Sequence, residues 1–74
     1  MPTWKELRRY CDKTANGWVL YKETDHRFYR KVAANGEVWY TKVSKGTGEI
    51  GPNLWREILK RQLHITDEEF NKNK

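Results

Sequence analysis

Seventy-four residues are enough for one small domain, and a chain of that length buries only about 60% of the surface its unfolded form exposes. With 36% apolar and 34% charged residues it is polar, yet its 14% aromatics, including four Trp and four Tyr, can fill a thin core and argue against disorder. The formal charge is +5, and residues 1–65 carry thirteen Lys/Arg against seven Asp/Glu. A basic body interleaved with aromatics points to a phosphate-bearing partner, with plain solubility as the competing explanation.

A single cysteine, Cys11, excludes an intramolecular disulfide, and no apolar stretch is long enough for a leader or a membrane span. The expectation is a soluble cytoplasmic protein with no membrane partner. Two histidines and one cysteine lack the spacing of metal ligands, so neither a metal nor another cofactor is expected.

Thr3-Trp4-Lys5-Glu6 has the form of a capping box and predicts a helix start. Trp4, Leu7 and Cys11 recur at i, i+3 and i+7, so the helix is amphipathic over about three turns, with Cys11 as a small buried hydrophobe. Asn16-Gly17 ends it. Trp18 to Lys22 reads as a first strand, Glu23-Thr24-Asp25 as a polar turn, and His26 to Val32 as a second strand. Asn35-Gly36 is a strong hairpin signal leading into a third strand, Glu37 to Val43. On the second strand, Phe28 and Val32 are read as packed under the helices, with Arg27, Tyr29 and Lys31 open to water and His26 at the rim of the buried face.

Residues 44–52 hold three glycines and a proline and predict a loop, from which Lys45 can reach a bound backbone or which serves as a plain connector. Pro52 or Asn53 opens a second helix with the apolar stripe Leu54, Trp55, Ile58, Leu59 and Leu63. Arg56 with Lys60 and Glu57 with Arg61 lie four apart on its wet side. His64 is placed as a cation at the C-terminal end of that helix. Thr66-Asp67-Glu68-Glu69 is a second capping box before Phe70, predicting one or two helical turns and a frayed tail over 71–74. The predicted fold is therefore α+β, in the order α-β-β-β-α. A three-stranded antiparallel sheet carries two helices on one face, followed by a short helical turn, as in double-stranded-RNA-binding modules.

These segments together resemble the HicA family. The resemblance rests on the amphipathic N-terminal helix, Gly17-Trp18-Val19-Leu20, Thr24-Asp25-His26-Arg27-Phe28, Leu54-Trp55-Arg56-Glu57-Ile58-Leu59-Lys60, and the ending Ile65-Thr66-Asp67-Glu68-Glu69-Phe70. It covers almost the whole chain, 1–74, as one domain. HicA proteins are small mRNA interferase toxins of bacterial toxin-antitoxin systems, neutralised by a HicB antitoxin. The resemblance implies RNA (mRNA) and a HicB-like protein as partners, and His26 as the catalytic residue. In the family the turn before that histidine usually reads Gly-Ser-His, and many members carry Pro-x-His after the third strand. Here Thr24-Asp25 and Lys42-Val43-Ser44 stand in those places.

Metal-independent RNA cleavage needs proton transfer at the 2′-OH and at the leaving oxygen, with positive charge near the phosphate, and an imidazole can perform either transfer at neutral pH. Alternation along the strand makes Lys22 and Arg30 the better phosphate contacts, with Lys45 from the loop, and Arg27 and Lys31 complete the candidate RNA-binding set. Asp25 either orients His26 or stabilises the turn. Three functions are consistent with these residues: a histidine-dependent endoribonuclease of the HicA type, a non-catalytic RNA-binding module of the same fold, and a docking domain for an acidic protein.

Overall fold

The computed structural model describes residues 2–46 and 48–74. Helix α1 spans Trp4–Asp12 and is followed by a short 3-10 turn, Thr14–Asn16. Strands β1 (Val19–Glu23), β2 (His26–Val32) and β3 (Val38–Ser44) come next. Helix α2 begins at Pro52–Glu57 and continues through wider π-helical turns over Ile58–Leu63, and α3 spans Asp67–Asn73. The three strands form one antiparallel sheet in the order β1-β2-β3. The α+β class and the antiparallel sheet expected from the sequence are thus present, with three helices.

Both capping boxes hold the helix starts they predicted. The Glu6 amide donates to Thr3 Oγ1 at 3.2 Å and the Glu69 amide to Thr66 Oγ1 at 3.1 Å. The Glu6 carboxylate accepts from Thr3 Oγ1 at 3.5 Å and pairs with Lys74 Nζ at 2.8 Å, the latter chiefly holding it below the usual carboxylate range. Lys13 Nζ also donates to the Lys74 carbonyl and Asn16 Nδ2 to that of Asn73, so 71–73 is helical and tied to α1 rather than frayed. In the hairpin only Gly36 takes a positive φ, 88°. Asn35 instead accepts the Glu37 amide at 3.0 Å, closing the turn through its side chain.

The buried face of the sheet is the opposite of the one expected. Tyr29 is 1% exposed, whereas Val32 is 65% exposed and Phe28 only half-buried. The strand register puts Tyr29 opposite Thr41, and Arg27 opposite Val43, both of them buried beneath the helices. A tyrosine can occupy this place because its hydroxyl is satisfied: it donates to Asp12 Oδ1 at 2.6 Å and accepts from Arg27 Nε at 3.1 Å. Arg27 is therefore half-buried, and Lys31 lays its methylenes over Gly17, where a Cβ would come within 3.2 Å of Lys31 Cε. Neither residue is open to water as predicted.

The core gathers Leu7, Tyr10 and Cys11 from α1, Trp18, Tyr29 and Val43 from the sheet region, and Trp55, Ile58 and Leu63 from α2. Phe70 closes it, wedged between Tyr10 and Trp55 at ring-centroid distances of 5.1 and 4.6 Å. The loop before α2 is less free than expected. Ile50 is buried, its amide donates to the Pro2 carbonyl, and Thr3 bridges to Glu49. Its remaining residue, Thr47, lies outside the described residues.

Burial in apolar surroundings pushes the Cys11 thiol up to about 12 from an ordinary value of 9.0, and burial with the Asp12 contact pushes Tyr29 up to about 12 from 10.0. Both groups bind a proton more tightly folded than unfolded. Their contribution to stability is complete below the unfolded values and is lost as pH rises toward 12. The protein is expected to lose stability to urea progressively between pH 9 and 12. In Cys11→Ala the onset should move up toward pH 10, where Tyr29 begins to titrate in the unfolded chain. An unchanged onset would show that the thiol takes no part.

Candidate nucleic-acid interface

The face of the sheet turned away from the helices is uncovered and carries most of the distinctive chemistry. Its geometry begins at a β-bulge. The β1–β2 register shifts between Leu20 and Lys22, so Tyr21 is inserted and both Tyr21 and Lys22 reach the outer face. Tyr21 then meets Phe28 at 6.4 Å and Tyr40 at 5.8 Å, the latter edge-on at 71°. Tyr21 is 46% and Tyr40 55% exposed, so two aromatic surfaces are offered to solvent rather than spent on the core.

Cations border this aromatic cluster. Lys22 Nζ sits 5.5 Å above the Phe28 ring, held there by the ring's negative face. Arg30 is paired across the sheet with Tyr40, and Lys42 with Phe28; both are exposed. Among the described residues none of these three cations is paired with a carboxylate. Lys22 and Arg30 are thus exposed on the outer face, which is open because the buried face is the other one.

The other candidate cations are engaged elsewhere. Lys45 Nζ lies 3.1 Å from Glu23 Oε2 and holds that carboxyl below its usual range. Arg27 bonds the Tyr29 hydroxyl and lies 3.7 Å from Glu23 and 4.0 Å from Asp12. Lys31, on the covered side, is separated by the sheet from Arg30. The six candidates thus do not converge on one site. The register puts Lys22 and Arg30 on the outer face and Arg27 and Lys31 on the covered one, while His26 and Lys45 line neighbouring hollows at one end of the sheet.

His26 begins β2 opposite Ser44 and is half-buried. It lines a recess of about 350 Å³ whose apolar walls are Trp4, Leu54 and Ile58 and whose polar groups include Lys42 and Gln62. Its Nδ1 is occluded and, among the described residues, has no hydrogen-bond partner. A histidine acting as general acid or base is normally oriented by a hydrogen bond at its second nitrogen, and among the described residues no carboxylate fills that place. Asp25 is exposed, and among the described residues it forms no ion pair. His64 lies far along the chain in a left-handed conformation, φ 55°, and stacks on Trp39 at 4.0 Å.

Sequence reasoning missed Tyr21, Tyr40, Lys42 and Gln62. Tyr21 and Tyr40 read as ordinary strand aromatics because the bulge is not visible in alternation. Gln62 is brought toward β3 by the π-helical turns, where Thr41 Oγ1 donates to its Oε1 at 2.6 Å. Leu54, read as part of the buried stripe, is 47% exposed and faces the recess instead. No described helix is long and apolar enough to cross a membrane. The chain matches no family model, no curated protein and no solved structure.

Proposed function

We propose that this chain is a single-stranded-RNA-binding module built on a double-stranded-RNA-binding-like fold, and that the uncovered sheet face is its binding surface. The observation that carries the reading is the exposed Tyr21–Tyr40–Phe28 cluster bordered by Lys22, Arg30 and Lys42. Bases stack on aromatic faces regardless of sequence, while unpaired cations meet the phosphates between them. A duplex would offer no base faces to such a surface. A partner protein of HicB type, as the sequence resemblance implies, would neutralise the module by covering the same face.

The salt dependence of binding to a labelled oligoribonucleotide tests this. Three phosphate contacts predict a slope of log K against log salt of about −2, from about 0.7 counterions released per contact on a single strand. Lys42→Gln should reduce the slope by about one contact's share. A slope near zero, or equal preference for a duplex of the same sequence, would defeat the reading.

The endoribonuclease reading rests on one observation: His26 lies in a recess together with Lys42 and Ser44, close to where a strand on the sheet would continue. In that reading His26 moves one proton and Lys42 balances the phosphate charge, while water supplies the second transfer. Incubation of wild type and His26→Ala with mRNA decides it. Cleavage lost in His26→Ala supports a toxin of the HicA type. Intact RNA with undiminished binding in both proteins leaves the non-catalytic module.

A further inference from the structure

Three hollows adjoin one another along this side of the molecule. The shallow aromatic hollow of the sheet face shares Lys42 and Gln62 with the His26 recess. That recess shares Trp4 and Ser44 with a third hollow of about 250 Å³, bordered by Lys5, Arg8 and Lys45. Trp4 thus stands as a partition between a larger recess walled by apolar side chains and a smaller one bordered by cations.

The larger recess has the size and lining of a small-ligand pocket, at the lower end of the usual range of about 300–1,000 Å³. Its polar groups are mainly donors, with the Ser44 hydroxyl able to donate or accept. Thr41 donates to the Gln62 oxygen, and among the described residues the amide NH2 has no partner. Placing the His26 proton on Nε2 leaves the occluded Nδ1 as a bare lone pair, a smaller loss than an unpaired N–H, so Nε2–H is a second donor. Lys42 is a third. Such a pocket selects an apolar flat body whose edge carries acceptors.

The cationic side differs in kind. Lys5 is exposed and, among the described residues, has no carboxylate partner. Arg8 is held only loosely to Asp12 at 3.7 Å, and both side chains are about half exposed. An anion arriving there displaces a weak pair rather than a strong one.

We infer that the two hollows flanking Trp4 form one nucleotide subsite, with the base seated against Leu54 and Ile58 and its phosphate beside Lys5 and Arg8. This deepens the RNA-binding reading and rests on it for the partner: the subsite takes one unstacked nucleotide from a strand lying on the sheet. The donor-rich lining predicts preference for guanine, which presents O6 and N7 side by side as acceptors, and for uracil with its two carbonyls, over adenine, whose ring acceptor stands beside a donating amino group.

Nucleoside 5′-monophosphates added to the full chain test the subsite directly by NMR. GMP and UMP should shift the Trp4 indole and the Leu54 and Ile58 methyl signals, AMP several-fold more weakly, and ribose 5-phosphate only the signals of Lys5 and Arg8. Leu54→Glu changes an exposed side chain and places a carboxylate at the mouth; it should abolish the GMP and UMP shifts while the rest of the spectrum stays native. Equal binding of the three nucleotides, shifts confined to Tyr21 and Tyr40, or GMP binding that survives Leu54→Glu would overturn the inference. The two readings fail separately. Oligoribonucleotide binding that is indifferent to Leu54→Glu, with no GMP shifts, removes the subsite and keeps the sheet surface. GMP seated at Trp4 with no oligonucleotide binding keeps the subsite and removes the sheet surface.

Discussion

Replacing both Tyr21 and Tyr40 by alanine is expected to weaken binding of single-stranded RNA by about thirtyfold or more. Each stacked base contributes about 1–3 kcal/mol by alanine substitution. The two rings touch at 5.8 Å, so the double loss will differ from the sum of the single ones. Because both side chains are about half exposed and neither belongs to the core cluster, the variant should unfold at nearly the wild-type urea concentration. Fluorescence anisotropy with a labelled oligonucleotide at fixed salt measures the effect. Wild-type affinity in the double variant would mean that RNA does not lie on this face.

The second large effect concerns stability. Phe70→Ala removes a fully buried ring that fills the space between Tyr10 and Trp55. Burying and packing a phenyl group in this way is worth about 3–5 kcal/mol. A 74-residue domain has roughly 5–10 kcal/mol in all, so the substitution is expected to leave the protein barely folded at room temperature. The loss reaches beyond the ring. Trp55 Nε1 donates to Asp67 Oδ1 at 2.8 Å, a contact that positions the start of α3, and α3 in turn carries Phe70 and the residues tied to α1. Thermal unfolding by circular dichroism should show a midpoint lowered by at least about 12 °C, taking about 4 °C per kcal/mol for a domain of this size. A midpoint within a few degrees of wild type would mean that α3 is not part of the cooperative unit.

Local signals in the sequence were enough for most of the architecture. The two Thr-x-x-Glu boxes and Gly36 each demand one backbone geometry, and each is found in it. Burial on β2 was not legible, because the strand alternates charged residues on both faces and its aromatic residues fall on opposite sides. Only the Asp12 carboxylate, seventeen residues away on α1, makes the inside the better place for Tyr29. Non-local partners of this kind leave no periodic trace. The candidate site was legible only in part for the same reason. Lys22 and Arg30 follow from alternation, but the engagement of Lys45 by Glu23 and of Arg27 by Tyr29 depends on how strands and loop fold back. The bulge at Tyr21 and the π-helical turns at Gln62 each shift one residue out of step with its element's repeat, and both shifts add a residue to the proposed surface.

The irregularity at Tyr21 also bears on self-association. Strand β1 forms one margin of the sheet, its five residues are all exposed, and Val19 and Leu20 are apolar. A straight margin of that kind is a template onto which a neighbouring molecule can add its own strand. The extra residue twists the margin and breaks the even spacing of its outward amides and carbonyls, while Lys22 adds like-charge repulsion between copies. The same kink that lifts an aromatic ring toward a ligand thus guards the protein against fibrillar stacking.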